Sequence, residues 1–193
     1  MKKSIVAAAI GCLFAVSAQA AEGDLFVRVR AIDVAPSASS SIAGLDVKSQ
    51  AAPELDFTYF LTKNLGTELI LGTARHDVTL NGANVGKVSH LPPTLTLQYH
   101  FAPDADVRPY VGAGINYTRF YDVSLANGAI TMDKNSVGGA LQLGVDFAVG
   151  KNAFINLDVK KIYIQSDLFS AGAKITTLKI DPVVFGVGFG WKF

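Results

Sequence analysis

The chain has 193 residues, of which 50% are hydrophobic and 17% are charged, and its mean hydropathy is +0.32. This composition excludes a disordered chain, because there is ample apolar surface to bury, and the net charge of +1 argues against nucleic-acid binding as the main function. Beyond the N-terminus no apolar run reaches the ~20 residues of a transmembrane helix. Two interpretations remain: a soluble protein with an unusually apolar core, or a membrane β-barrel with apolar residues at every second position.

The first 20 residues have the features of a secretory signal peptide. Two lysines precede an apolar run, and Ala18-Gln19-Ala20 matches an A-x-A cleavage site. A lipoprotein signal ending at Cys12 is a less favoured alternative, because the residues before it match that signal poorly. We therefore predict a cleaved signal peptide over residues 1–20 and a single mature domain over residues 21–193. The mature chain would lack cysteine, which excludes a disulfide, a thiol nucleophile and a thiolate metal site.

From residue 24 onward, polar and apolar residues alternate with the period of two that is typical of β-strands. The alternation predicts about eight strands, each close to the ~9–11 residues that a tilted membrane-spanning strand needs. The predicted strands are 24–32, 54–62, 68–72, 94–101, 108–120, 137–149, 154–164 and 177–193.

The connections between these strands alternate in length. The stretches 63–66, 102–107 and 149–152 are short, whereas 36–52, 77–90, 122–135 and 166–174 are long and polar. Outer-membrane barrels have short periplasmic turns and longer extracellular loops. The sequence therefore predicts an all-β fold over residues 21–193, an eight-stranded antiparallel transmembrane β-barrel in the cell outer membrane.

The C-terminal segment carries an apolar stripe. Phe185, Val187, Phe189, Trp191 and Phe193 alternate with glycines and a lysine. A soluble protein rarely leaves such a stripe uncovered, so a lipid-facing last strand is favoured over the edge strand of a β-sandwich. The segment also resembles the terminal signal that the barrel-assembly machinery recognises, with Phe189, Trp191 and Phe193 as its aromatic residues.

The inward-facing residues of the lower, periplasmic half are mostly polar and carry both charge signs. Because an eight-stranded barrel is only wide enough to be filled by side chains, we predict a closed plug there. An alternative is a stabilising core with no role in transport. The predicted plug residues are Arg28, Glu68, Gln98, His100, Asp146, Asp158 and Lys192.

The upper half of the predicted interior is apolar instead. Apolar side chains are unusual in a water pore and are expected where a lumen accepts apolar guests, although plain interior packing is an open alternative. The predicted channel-lining residues are Ile32, Ile70, Phe120, Ile162, Leu178, Ile180 and Val184.

Consecutive prolines mark a place where a guest could leave this lumen. Pro92 and Pro93 remove two ladder donors from the outer end of the fourth strand. This predicts either a lateral opening in the wall or a bend without an opening, and Pro182 would weaken the last strand in a similar way.

At these residues the chain resembles the outer membrane protein W (OmpW) family, which includes alkane-uptake relatives. The resemblance covers essentially the whole mature chain, and its most specific segment is 108–117, RPYVGAGINY; the others are 90–94, 99–101, 142–146, 181–185 and 190–193. It implies an eight-stranded barrel with a narrow apolar channel, closed toward the periplasm, that passes small hydrophobic molecules through a lateral opening. Ile70 matches an apolar constriction residue, whereas Lys160 stands where an aromatic partner is expected. A lysine there would either reach toward the loops or make the constriction more polar.

An enzyme is a poor alternative. Ser89 and His90 are adjacent and would point to opposite faces of a strand, and no metal-ligand spacing or phosphate-binding loop is found in the sequence. We expect no catalytic residue, no metal and no cofactor. The second functional hypothesis is a structural or adhesive barrel whose extracellular loops bind a partner.

The expected partners follow from the predicted location. They are outer-membrane lipid, lipopolysaccharide, small hydrophobic solutes and, during biogenesis, the barrel-assembly machinery. Lipid-facing residues all round the predicted barrel favour a monomer.

Overall fold

The computed structural model describes residues 20–193, so the predicted signal peptide lies outside the described residues except for Ala20. The described chain contains fourteen β-strands and one 3-10 turn at Ala126–Gly128. Among these residues, no helix is long and apolar enough to cross a membrane. The strands are β1 Leu25–Ala35, β2 Leu45–Val47, β3 Gln50–Phe60, β4 Leu65–Gly72, β5 Ala74–Leu80, β6 Ala83–Leu91, β7 Thr94–His100, β8 Val107–Leu125, β9 Ile130–Met132, β10 Asn135–Ala148, β11 Ala153–Ile162, β12 Gln165–Ser170, β13 Ala173–Lys179 and β14 Val183–Lys192.

Eight of these strands form a closed ring. Its order is β1, β3, β4, β7, β8, β10, β11 and β14, and β14 pairs with β1 to close it. Every pairing in the ring is antiparallel, so the predicted eight-stranded antiparallel barrel is confirmed. Closure gives every ring strand a pairing partner on both sides, so that the ring has no open sheet edge in lipid.

The alternation in the sequence is the alternation of burial in the ring. In β1, Phe26, Arg28 and Arg30 are buried inside the barrel, whereas the intervening Val29 is 51% exposed on its outside. The C-terminal stripe is likewise on the outside, since Phe189 and Trp191 are exposed. The outer surface of the ring therefore carries an apolar band that suits lipid.

The other six strands extend the wall at one end. β5 and β6 form one hairpin, β12 and β13 form another, β2 pairs with β5, and β9 pairs with β12 and β8. Much of the predicted long connections 77–90 and 166–174 therefore consists of strands. Asn81 and Gly82, with φ of 50° and 83°, make the tight turn that lets the first hairpin pair its backbone.

Prolines separate strands at two places in the chain. The predicted strand 177–193 is divided into β13 and β14 around Pro182, because proline has no N–H for the ladder and Asp181 before it has a φ of 34°. Pro92 and Pro93 separate β6 from β7.

The interior has three layers, counted from the end with the short turns. Phe26, Phe60 and Phe154 are fully buried at that end. Charged and polar side chains follow, and a continuous apolar core then reaches up into the hairpins. The apolar core therefore lies directly above the layer of charged and polar side chains.

Candidate functional site: an apolar cavity above a buried charge network

Arg28 lies at the lower end of a group of buried charged side chains, and several carboxylates surround it. Its Nη2 donates to Asp146 at 2.9 Å and its Nη1 donates to Asp56 at 3.2 Å, to Thr58 at 2.6 Å and to Glu68 at 3.4 Å. All five side chains are 0% exposed. A guanidinium suits this position, because it has five N–H donors in a fixed plane and several acceptors converge here.

Two more cations complete the charges above Arg28. Arg30 lies 2.9 Å from both Glu54 and Asp56, and the ammonium of Lys160 lies 2.6 Å from both Glu54 and Asp158. We call the following residues the charge network: Arg28, Arg30, Glu54, Asp56, Glu68, Asp146, Asp158 and Lys160.

Amide side chains bridge the carboxylates of the charge network. Gln142 Nε2 donates to Glu68 at 2.9 Å and to Asp158 at 2.8 Å, and Gln98 Nε2 donates to Glu68 at 2.7 Å. No member of the charge network is more than 5% exposed. The network therefore fills the barrel at this height with charges that are paired with one another, as a narrow barrel requires.

An aromatic floor lies beneath the charge network. The ring of Phe26 lies 4.7 Å from that of Phe60 and 4.9 Å from that of Phe154, and the His100 ring stacks on Tyr110 at 4.9 Å. The guanidinium of Arg28 lies 5.2 Å from the Phe154 ring centroid, within the range of a cation–π contact. The floor fills the interior at the short-turn end of the barrel with buried rings.

The predicted plug residues fall in these two layers, with one correction. Arg28, Glu68, Asp146 and Asp158 are in the charge network, Gln98 bridges it, and His100 is in the floor. Lys192 is not buried with them: its side chain is 23% exposed at the rim and pairs with Asp24 at 2.8 Å. It lies one residue from the end of the chain, where the solvated rim spares an ammonium the cost of burial.

Sequence reasoning missed part of both layers. The alternation turns Arg30 and Asp56 inward, somewhat above the predicted plug, and both belong to the charge network. The plug prediction leaves out Glu54, Tyr110, Gln142 and the phenylalanines of the floor. The alternation did indicate that the floor residues face inward, because Phe26 lies on the same face of its strand as Arg28, and Phe60 on the same face as Asp56. What the alternation does not reveal is which inward residues meet across the barrel.

A small apolar cavity, which we call the upper cavity, lies directly above the charge network. Its free volume is about 30 Å³. Four predicted channel-lining residues line it: Ile32, Ile70, Ile162 and Val184. The residues lining the upper cavity are Ile32, Val34, Glu54, Ile70, Gly72, Thr73, Ala74, His90, Pro92, Thr94, Ile162, Ile164, Pro182 and Val184.

The other three predicted lining residues are placed differently. Phe120, Leu178 and Ile180 are each 1% exposed and pack in the apolar core, without lining the upper cavity. For Leu178 the hairpin β12–β13 explains the difference, since it carries this residue beyond the ring into the apolar core.

The predicted constriction is also corrected at Lys160. Ile70 lines the upper cavity, but Lys160 does not, and it reaches neither the hairpins nor solvent. Its ammonium turns to Glu54 and Asp158 instead, because two carboxylates at 2.6 Å compensate its desolvation. Glu54, held by this lysine, is the charged residue that lines the upper cavity.

The wall beside the upper cavity has a seam where strand pairing is interrupted. Pairing of β4 with β7 ends at Ile70 and Thr94, and pairing of β5 with β6 resumes only at Ala74 and His90. Within residues 20–193, no ladder pair joins 71–73 to 91–93. We call these two stretches the wall gap.

The opposite side of the proline segment remains attached to the barrel. The Tyr117 N–H donates to the Pro93 carbonyl at 3.0 Å, and Asn116 Nδ2 donates to the Pro92 carbonyl at 3.2 Å. Across the wall gap, the Thr73 hydroxyl donates to the His90 carbonyl at 3.3 Å. Thr73 and Pro92, one from each edge of the wall gap, both line the upper cavity. The gap therefore adjoins the cavity.

Comparison with known proteins identifies the family of this chain. Residues 21–193 match the sequence model described as the OmpW family. The chain belongs to the OmpW family. It is 34% identical over 212 residues to outer membrane protein W of Escherichia coli, and the match covers 100% of both chains. The crystal structure of outer membrane protein OprG from Pseudomonas aeruginosa matches with a TM-score of 0.81 and 30% identity, covering 92% of this chain and 99% of that one.

A further relative is named after an operon for dibenzothiophene metabolism. The dibenzothiophene metabolism operon protein PahQ of Pseudomonas aeruginosa is 29% identical over 159 residues, covering 77% of this chain and 74% of that protein.

Family and fold together locate this OmpW-family barrel in the outer membrane. Short turns of such barrels face the periplasm, so the aromatic floor is at the periplasmic end and the hairpins are extracellular. Among residues 20–193, no three His, Cys, Asp or Glu side chains are grouped to hold a metal ion.

Proposed function

We propose that this barrel takes up small hydrophobic molecules across the outer membrane. A guest enters between the extracellular hairpins, occupies the upper cavity and leaves sideways through the wall gap into the membrane. The observation that carries the proposal is the position of the upper cavity, which lies on a filled charge network and adjoins an interrupted seam of the wall.

The charge network is the reason for a sideways exit. To reach the periplasm through the barrel, an apolar guest would have to separate ion pairs such as Lys160 with Asp158 and Arg28 with Asp146, and then displace the floor. Removing one partner from a buried ion pair costs about 3–5 kcal/mol, and an apolar guest offers no compensating bond. Exit through the wall gap breaks none of these pairs.

The size of the upper cavity indicates how a guest is accommodated. A free volume of about 30 Å³ holds about one or two water molecules, so an organic guest must displace the surrounding side chains. Ile32, Ile70, Ile162 and Val184 are aliphatic and contribute no hydrogen bonds, so they can change rotamer without leaving a polar group unsatisfied. Transport by this route is therefore a transient opening of a packed interior.

The chemistry of a relative supports an apolar substrate. Dibenzothiophene, after whose metabolism the PahQ operon is named, is a fused aromatic with almost no hydrogen-bonding capacity. A solute of this kind partitions into lipid once it has crossed the lipopolysaccharide layer, which suits delivery into the membrane.

A second candidate function rests on a different feature, an extracellular cleft of about 400 Å³. It lies between the end of β8 and β9 and is lined by residues 119–123, 128, 130–132 and 134. Such a cleft fits a structural or adhesive barrel that binds a partner through its hairpins, with lipopolysaccharide among the candidates. In either case we expect a non-enzymatic monomer that reaches the membrane through the barrel-assembly machinery after its signal peptide is cleaved.

The wall gap provides the test of the proposed function. Replacing Pro92 and Pro93 together by alanine restores two N–H donors, which lets the chain pair with 71–73 and close the seam. We expect uptake of radiolabelled naphthalene by porin-deficient cells to fall several-fold, toward the rate of cells without the barrel. Pro109→Ala is the matched control, because Pro109 lies on the exposed face of β8 away from the seam.

The barrel itself must persist in the double variant, which the heat-dependent gel mobility of a folded barrel will show. Unchanged uptake by this variant would exclude the wall gap as the exit. If wild-type cells take up naphthalene no faster than cells without the barrel, the adhesive function is favoured instead.

A further inference from the structure

Two histidines stand at the top of the upper cavity, in the extracellular hairpin β5–β6 beyond the ring strands. His76 Nε2 and His90 Nε2 are 3.0 Å apart, and the two rings stack with centroids 5.0 Å apart. His76 Nδ1 is 2.7 Å from the Lys48 carbonyl oxygen. Both imidazoles are buried, with 1% and 2% of their surface exposed.

These contacts determine where the protons are. A carbonyl oxygen only accepts, so His76 Nδ1 carries the proton and His76 Nε2 carries a lone pair. His90 Nε2 must then donate to His76, which leaves the lone pair of His90 on Nδ1. Burial lowers the pKa of His90 to about 3 and also lowers the pKa of His76, so both rings are neutral at neutral pH.

The lone pair on His90 Nδ1 has no hydrogen-bond partner among residues 20–193. His90 also lines the upper cavity, whereas His76 does not. A buried acceptor without a donor lowers stability relative to a satisfied one. The rest of the chain does not compensate this cost, and a guest in the cavity can.

We propose that the preferred guest of the upper cavity is an apolar molecule that carries a single hydrogen-bond donor, such as a phenolic O–H or an indole N–H, and that His90 Nδ1 accepts this bond. The inference rests on the proposed function and narrows its substrate class. The aliphatic side chains around His90 bind the body of the guest, and the single acceptor selects its polar group. Saturated hydrocarbons and acceptor-only compounds gain nothing from His90.

Three probes of similar shape separate these cases: 1-naphthol donates, 1-methoxynaphthalene only accepts, and 1-methylnaphthalene does neither. Uptake is measured in porin-deficient cells, and the rate in cells without the barrel is subtracted for each probe. We expect the barrel-dependent rate for 1-naphthol to exceed the other two by about three- to tenfold, the effect of one neutral hydrogen bond. His90→Phe should remove this preference, so that the barrel-dependent rates of the three probes fall within about twofold of one another. His90→Asn should partly restore the preference, because its amide oxygen is an acceptor near the Nδ1 position.

A binding measurement accompanies uptake and does not depend on transport. In the full barrel in lipid nanodiscs, the ¹⁵N resonance of His90 Nδ1 should shift upfield when 1-naphthol is added and should stay in place with 1-methoxynaphthalene. An unmoved resonance, barrel-dependent uptake that is equal for the three probes, or a 1-naphthol preference that survives His90→Phe would each overturn the inference. A shifted resonance without barrel-dependent uptake of any probe would uphold the site and refute the proposed transport.

Discussion

Replacing Arg28 by methionine is the sharpest test of the charge network. The arginine makes five hydrogen bonds to four side chains, and three of those side chains are carboxylates. Methionine fills much of the same volume without a charge. Of the three carboxylates, Glu68 keeps donors from Arg30, Gln98 and Gln142, whereas Asp146 keeps the Asn156 amide at 2.7 Å.

The expected magnitude follows from that inventory. A hydrogen bond to a charged group contributes about 1.5–3 kcal/mol, but the bonds of one arginine are not additive. Removing one partner from a buried ionic cluster costs about 3–5 kcal/mol, and we expect Arg28→Met to lower the free energy of unfolding by that amount. Since Asp146 loses its closest cation among these contacts, adding Asp146→Asn should recover about 1–3 kcal/mol.

The assay is urea unfolding of the barrel in lipid vesicles, followed by Trp191 fluorescence. Lys48→Met is the control, because Lys48 pairs with Asp46 at 3.4 Å while both side chains are about half exposed, and such pairs contribute less than about 1 kcal/mol. A loss for Arg28→Met no greater than for Lys48→Met would refute the argument that these buried charges hold the lower barrel together.

Three further predictions concern the wall, the network and assembly. A Cβ at Gly190 would lie 2.2 Å from the Phe154 ring, whereas one at Gly150 would have its nearest neighbour at 3.9 Å. Gly190→Ala should therefore lower the free energy of unfolding by about 1–3 kcal/mol in the same urea assay, and Gly150→Ala by much less. Equal losses for the two variants would contradict a tightly packed floor. Lys160→Met should cost about 3–5 kcal/mol, because Glu54 and Asp158 lose the cation they share; Lys161→Met is the control, since Lys161 bonds only a backbone carbonyl in the described contacts, that of Asp181. Phe193→Ala should slow barrel assembly in a pulse-chase gel assay if the terminal aromatic residues are the assembly signal, and Phe185→Ala, on the same outer face, should leave the rate unchanged.

The predicted ring follows from the sequence because a strand has a period of two and a barrel has only two faces. Once Arg28 and Asp56 are assigned to the inside, Val29 and Leu55 must be outside, and a shift of one residue would place charges in lipid. The short turns then set the direction of each strand. The hairpins were harder to predict, because β5–β6 and β12–β13 lie beyond the membrane, where polar side chains obscure the alternation.

The sequence alone determined the barrel, its strand number, the interrupting prolines and a division of the interior into a polar and an apolar half, since each of these depends on local period and proline geometry. Only the tertiary structure decided which inward residues meet. Lys160 belongs to the charge network because Glu54, more than a hundred residues away in the chain, reaches it across the barrel. His90 has an unsatisfied acceptor because Lys48 and His76 determine the proton positions. Closure of a sheet into a ring creates such contacts between distant strands, and no local pattern encodes their partners.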